Sequence, residues 1–280
     1  MSNIAPVAIK AGSKEMLHRL CNDCIPPRIL MVVAHPDDEA IGAGARLRHW
    51  RDVLTIAYVT DGVPPDVKDA TLVGFQTRDE YARARRTELR DALALAAIEP
   101  ERAVQLAFTD QTVVHHLPEL IDALISLVAR HEPELLLTHS FEGGHPDHDA
   151  IALAVQAAVQ RLEDRGLGAP PLFEMASYHM GAEGLRSGEF LPADVPTRRC
   201  ELSPGEREFK ERLFACFPSQ QEVLRWFRTD VEAFRVAPSY NFSAPPHAGM
   251  LFYEQFQIGM TGEAWRAAAA PVVTELARPG

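Results

Sequence analysis

Apolar residues along the chain fall into two kinds of pattern that alternate. Short uninterrupted runs, Ile29-Leu30-Met31-Val32-Val33-Ala34, Val53 to Val59, Ala103 to Phe108 and Leu135-Leu136-Leu137-Thr138, read as strands buried on both faces. Between them lie stretches with helical spacing: 78–97, 117–130 and 150–165. In the second, Leu117, Leu120, Ile121, Leu124, Leu127 and Val128 recur every three or four positions, and the third stops at Gly166. Strand alternating with helix predicts an α/β fold, a Rossmann-like, mostly parallel sheet with helices on both faces. Ligands in such sheets bind beyond the carboxyl ends of the strands, so the loops after these runs are where chemistry is expected.

Beyond residue 180 the alternation weakens. Gly181 to Pro204 is rich in Gly, Pro and charge, two helical patterns follow at about 205–217 and 219–235, and a strand is predicted over Met250 to Gln257. No internal repeat or heptad run is present. The economical reading is one domain over 1–280, with a catalytic α/β core at about 28–180 and a C-terminal part at about 181–280 that shapes the pocket.

Composition narrows the classes. The 280 residues are 46% hydrophobic and 24% charged, ordinary for a globular protein with a sizeable core. Lys and Arg number 28 against 39 Asp and Glu, a net charge of −11, which argues against nucleic-acid binding through counterion release. No stretch reaches the roughly 18 apolar residues of a membrane span. The N-terminus lacks a signal-peptide core, so the expected location is cytoplasmic. Cysteines at 21, 24, 200 and 216 are too few for a disulfide scaffold. Cys21-Asn-Asp-Cys24 has knuckle spacing without a matching second pair, so reduced surface thiols are expected.

Two segments combine position with chemistry. Ala34-His35-Pro36-Asp37-Asp38-Glu39 follows the first predicted strand, and Glu142-Gly143-Gly144-His145-Pro146-Asp147-His148 follows the fourth. Together they place histidines and carboxylates at one sheet edge, the donor set of a divalent metal with N and O ligands. A carboxylate beside such a metal can take a proton from water and make a nucleophile. Taken singly, each has a plainer reading: Asp37-Asp38 as a helix N-cap, and H-x-x-H as incidental.

The pairing of AHPDDE with HPDH about a hundred residues later resembles the PIG-L/LmbE-like family of zinc-dependent N-deacetylases. Further on, Arg85-Arg86-Thr87-Glu88-Leu89 is similar to that family's R-x-x-E helix, and Phe108-Thr109-Asp110 to its Asp after the third strand. Lys210 through Ser219-Gln220 is similar to its K…SQ helix, and Glu232-Ala233-Phe234-Arg235 to its E-x-F segment. The resemblance implies that His35, Asp38 and His148 bind Zn2+, with Fe2+ the alternative, and that Asp37 is the general base. It implies that His145, oriented by Asp147, stabilises the oxyanion as imidazolium or protonates the leaving amine. Arg85 would hold a substrate hydroxyl or phosphate, against a plain ion pair with Glu88; Asp110 would bind sugar hydroxyls, against capping a turn with Thr109. Glu142 is read as a substrate contact or a support for its loop. Some members carry an aromatic hydroxyl where Gly143 stands here; Tyr178, His179 and Tyr240 are the candidates to replace it, and the Gly143-Gly144 pair is expected to let backbone approach the ligand.

The implied activity is removal of an acyl group, acetyl first, from the amide nitrogen of a small-molecule amino sugar or sugar conjugate. Amide cleavage of a thiol conjugate and acyl-ester cleavage are the alternatives on the same site. A nucleotide-binding oxidoreductase would need G-x-G-x-x-G after the first strand, where His35-Pro36-Asp37-Asp38 stands. A non-catalytic binding protein is expected to have lost Asp37 or a ligand, and neither is missing. Rim segments 61–77, 181–204 and 238–249 are expected to set specificity, and 237–247 either closes over the site or makes a homo-oligomer contact.

Overall fold

A computed structural model of the chain describes residues 12–277 apart from 23, 67 and 257. The strands are β1 (Ile29–Val33), β2 (Leu54–Thr60), β3 (Ala103–Phe108), β4 (Leu135–Thr138), β5 (Leu172–Met175), β6 (Tyr178–Gly181), β7 (Gly184–Ser187), β8 (Thr197–Glu201) and β9 (Val231–Val236). The helices are α1 (Ser13–Cys21), α2 (Asp38–Ala43), α3 (Leu47–Trp50), α4 (Lys68–Leu72), α5 (Arg78–Leu95), α6 (Leu117–His131), α7 (Pro146–Asp164), α8 (Pro204–Ala215), α9 (Gln221–Leu224) and α10 (Gly262–Leu276).

Seven strands form one sheet in the order β3-β2-β1-β4-β5-β9-β8, and β6 pairs with β7 as a separate hairpin. Strands β3 through β5 are parallel, with Ile29 of β1 opposite Leu54 on one side and Leu135 on the other. Strand β9 runs antiparallel to β5 and β8 antiparallel to β9, so the C-terminal part supplies two strands of the central sheet. Side chains alternate across β1. Leu30 and Val32 face a core built with α6, α7 and α10, whereas Ile29, Met31 and Val33 face one built with α1, α5 and α8. Burial on both faces is why β1 is wholly apolar, whereas β3, expected from its sequence to be covered on both faces, lies at the sheet edge and leaves Gln105 and Ala107 exposed.

Three expectations change. Over 219–235 the helix ends at Leu224 and β9 follows, buried along its whole length. Its charged residues, which imitate a solvated helix face, are neutralised in the interior: Glu232 by Lys210 at 3.1 Å and Arg235 by Glu174 at 2.8 Å. In place of a strand at Met250 to Gln257 there is a 3₁₀ turn, Phe252–Gln255, held by Glu254 Oε2 accepting the Leu251 N–H at 2.8 Å. Finally, Cys21 and Cys200 form a disulfide between α1 and β8, while Cys24 and Cys216 are free. The partners lie 179 residues apart, which spacing along the chain cannot reveal. Among the described residues no helix is long and apolar enough to cross a membrane.

Candidate metal centre

Strand order creates the site. The connections leaving β1 and β2 build the sheet toward β3, and the chain then returns to place β4 on the other side of β1. Between β1 and β4 the winding reverses, and a crevice opens beyond their carboxyl ends. The HPDD turn leaves β1 into α2, and the loop after β4 leads into α7, so both motifs meet at that crevice.

Asp38, the first residue of α2, is the centre of the cluster. Its Oδ2 accepts the His35 N–H at 2.8 Å and lies 3.3 Å from His35 Nδ1, while its Oδ1 lies 3.1 Å from His148 Nε2. Donor atoms of His35, His145 and His148 fall within 4.8 Å of one another, as do those of Asp38, His139 and His148. His148 Nε2 is buried and makes no hydrogen bond despite the carboxylate beside it. Burial lowers the His148 imidazole to about 4, so at pH 7 the ring is neutral and its Nε2, beside the Asp38 carboxylate, is able to serve as a metal ligand. A cation between them resolves that arrangement, and neutral imidazoles with a carboxylate suit Zn2+ or Fe2+. The donor set therefore fits a divalent metal. Burial opposes the charge on Asp38, yet His148 and His139 hold its carboxyl well below the usual range.

Asp37 is held in an unusual backbone state, φ 126° and ψ −24°, which strains a residue with a side chain. Its N–H donates to Glu39 Oε2 at 3.0 Å, Arg85 Nη1 donates to its Oδ2 at 3.1 Å, and Arg85 Nη2 donates to the Pro36 carbonyl at 2.7 Å. Gly62 is needed here, since a Cβ would come within 2.6 Å of Arg85 Nη2. Arg85 is 2% exposed, so its two terminal nitrogens grip the HPDD turn and the geometry gives no support to a substrate contact. The alternative ion pair with Glu88 is long, 4.0 Å, and Glu88 instead accepts from Ser219 N and Oγ at 2.8 and 2.7 Å. Burial pushes the Asp37 carboxyl up to about 6 against the pull of Arg85.

Asp110 and Asp147 face His35 from the other side. Asp110 Oδ1 is 2.9 Å from His35 Nε2, which places Asp110 on the histidine rather than on a turn cap with Thr109. Asp147 accepts the Gln111 and Val113 N–H groups at 2.7 and 3.2 Å, and burial pushes its carboxyl up to about 6. Its backbone N–H, not its carboxylate, donates to His145 Nδ1, at 3.2 Å. Burial and the neighbouring His35 lower His145 well below the ordinary imidazole value, which favours the neutral ring. Burial disfavours charge on His35, but Asp110, Asp147 and Asp38 outweigh it and raise its pKa well above the ordinary value. Metal binding at His35 must then release a proton.

Glu142 supports its loop. Buried, it accepts from Ser140 Oγ at 2.9 Å, Leu191 N at 2.7 Å and Arg235 Nη2 at 3.1 Å. Asp149 accepts the Glu142 and Gly143 N–H groups at 3.1 and 3.0 Å. Gly143 and Gly144 make room for protein, not ligand: a Cβ would lie 2.7 Å from Leu251 Cδ2 and 2.3 Å from the Tyr178 carbonyl oxygen. Of the candidate hydroxyls, Tyr240 is committed, donating to Glu174 at 2.8 Å and accepting from Arg235 at 2.7 Å. His179 lies against Glu142, with Nδ1 3.6 Å from its Oε2, whereas the Tyr178 ring sits 5.4 Å from that of His148.

Sequence reasoning missed His139, Glu39 and Asp149. His139 accepts the Ala34 N–H at 3.0 Å and stacks on His148 with ring centroids 3.8 Å apart. A signal existed, since His139 directly follows the Leu135–Thr138 run.

Residues 30–159 match the family described as PIG-L: GlcNAc-PI de-N-acetylase. A Bacillus cereus protein named probable N-acetyl-alpha-D-glucosaminyl L-malate deacetylase 2 is 32% identical over 140 residues, 48% of this chain and 61% of that protein. The chain thus spans less than two thirds of that relative's length. A Corynebacterium urealyticum protein named 1D-myo-inositol 2-acetamido-2-deoxy-alpha-D-glucopyranoside deacetylase is 28% identical over 255 residues, 74% of each chain. The solved structure of the A40926 pseudoaglycone deacetylase Dbv21 shares the fold, with a TM-score of 0.55 and 20% identity over 79% of this chain and 99% of that one. Residues 30–159, which hold the AHPDDE and HPDH motifs that meet at one crevice, are thus similar to the PIG-L family.

Proposed function

We propose that this chain is a metal-dependent hydrolase that removes an acetyl group from the amide nitrogen of a small N-acetyl amino sugar or its conjugate. The observation that carries the reading is the convergence of His35, Asp38 and His148 beside a strained Asp37 at the β1/β4 crevice. The names of the two relatives support the amino-sugar class. Zn2+ is the proposed metal and Fe2+ the alternative, held by His35, Asp38 and His148. When bound, the cation supplies Lewis acidity that polarises the amide carbonyl and acidifies water.

The protein groups supply the rest. Asp37, ionised above about pH 6 and aimed by Arg85, accepts a proton from the attacking water. His145 Nδ1 accepts the Asp147 N–H, which leaves the proton on Nε2 as a donor to the carbonyl oxygen as negative charge develops. Tyr178 is the proposed replacement for the hydroxyl absent at Gly143; burial raises its pKa, so it remains a donor. A proton returned from Asp37 lets the amine leave.

Release of free amine and acetate should be measured across N-acetylglucosamine, its phosphate and nucleotide conjugates, its inositol and malate glycosides, thiol-linked amino sugars and acetyl esters. Cleavage of at least one N-acetyl glycoside is expected, with the esters slower. An inert set of amides beside cleaved esters would replace the reading with an acyl esterase.

A further inference from the structure

Asp110 reaches the metal centre from beyond the end of β3. Tyr58 of β2 pairs with Gln105 and Thr60 with Phe108, so β3 carries one residue more than its partner over this stretch, and Ala107 takes the left-handed conformation at φ 59°. A bulge of this kind bends the strand and re-aims the side chains that follow. Gln111 is left-handed as well, at φ 64°, and its N–H is fixed on Asp147 Oδ2 at 2.7 Å. Asp110 lies between these two bends, 5% exposed, and its Oδ1 sits 2.9 Å from His35 Nε2 across 75 positions. Asp147 Oδ2 brings a second carboxylate to within 3.7 Å of the same nitrogen.

Carboxylates only accept, so a nitrogen facing two of them carries its proton. A metal-bound imidazole keeps one ring proton. With that proton on Nε2, Nδ1 is the nitrogen of His35 left to ligate, and it lies on the side of Asp38, whose Oδ2 is 3.3 Å away. We infer that Asp110 is a positioning residue for the cation: it holds the His35 proton on Nε2 and so turns Nδ1 to the metal, the part that a carboxylate behind a ligating histidine plays. This rests on the metal-centre reading of His35, Asp38 and His148. It departs from the contact with sugar hydroxyls that the resemblance implies for Asp110, since the carboxylate is buried against the histidine.

The test separates metal affinity from substrate affinity. Zn2+ binding to the full chain, first stripped of metal, is measured in competition with a chromophoric chelator for the wild type, Asp110→Asn and Asp110→Ala. The dissociation constant is expected to rise by roughly 10- to 100-fold, least in Asp110→Asn, whose amide oxygen still accepts from Nε2, and most in Asp110→Ala. KM for the N-acetyl glycoside that the wild type cleaves is expected to stay unchanged at saturating zinc. Asp110→Asn keeps the size of the side chain and carries the test should Asp110→Ala fail to fold. In the zinc-loaded wild type, nitrogen NMR of isotope-labelled histidine should find the His35 proton on Nε2, a signature that a purely structural role for Asp110 does not require. A His35 proton on Nδ1 overturns the inference, as does a KM raised at saturating zinc, which would return Asp110 to the substrate. Equal zinc affinity in the wild type and Asp110→Asn and Asp110→Ala removes this role and leaves the metal centre standing. A wild type that binds no Zn2+ removes the metal centre and this role together.

Discussion

His148→Ala is expected to lose bound metal and turnover together. The ring sits in the first turn of α7, 3% exposed, with Nε2 3.1 Å from Asp38 Oδ1. The ring is neutral at pH 7, and its buried Nε2 has no competing hydrogen bond. His139 cannot substitute, although it stacks against His148, because its Nε2 already accepts the Ala34 N–H. The loss of metal affinity should exceed the roughly 10- to 100-fold that changes to supporting residues bring. Metal content after dialysis and free-amine release are the two readouts, and His148→Asn, closer in size, separates ligand loss from a packing defect. Full turnover in either variant without metal would reject the site.

Asp37→Asn is expected to keep the metal and lose turnover by about 10²- to 10⁴-fold, the usual contribution of a positioned general base. Asparagine preserves the shape and can still meet Arg85 at the turn, but it cannot accept a proton. The wild-type profile should carry the signature of the same group. Its carboxyl is pushed up to about 6 by burial, opposed by Arg85, and the working form is the ionised one. Activity therefore falls as pH drops through about 6 and levels above it. In Asp37→Asn that acidic limb should vanish from the residual rate. An unchanged limb would assign it to another group, with Asp147, also about 6, the next to examine.

Much of this arrangement is visible in the amino-acid order because its determinants are local. An uninterrupted apolar run such as Ile29–Val33 announces a strand covered on both faces, and a motif directly after it lies at the strand's carboxyl end. What stayed hidden depends on partners distant in sequence. Arg85 finds Asp37 across 48 positions, and nothing along α5 shows that its guanidinium is buried against the turn. Arg235 reaches Glu142 across 93 positions, so β9 reads as a charged helix until those pairings exist. His145 looks like a ready cation in a polar motif, yet burial and a neighbouring charged His35 favour the neutral ring. The glycines of the EGGH loop are ambiguous in sequence between ligand approach and packing. Leu251 and Tyr178, brought in from other elements, decide for packing.

Site and chemistry meet in acetate release followed while one divalent metal is removed and returned. On an N-acetylglucosamine conjugate, the protein should carry one ion per chain, stop releasing acetate when a chelator strips it, and recover when zinc or iron(II) is restored. Undiminished acetate release from chelated protein with no bound metal would contradict the assignment of His35, Asp38 and His148 to a catalytic cation.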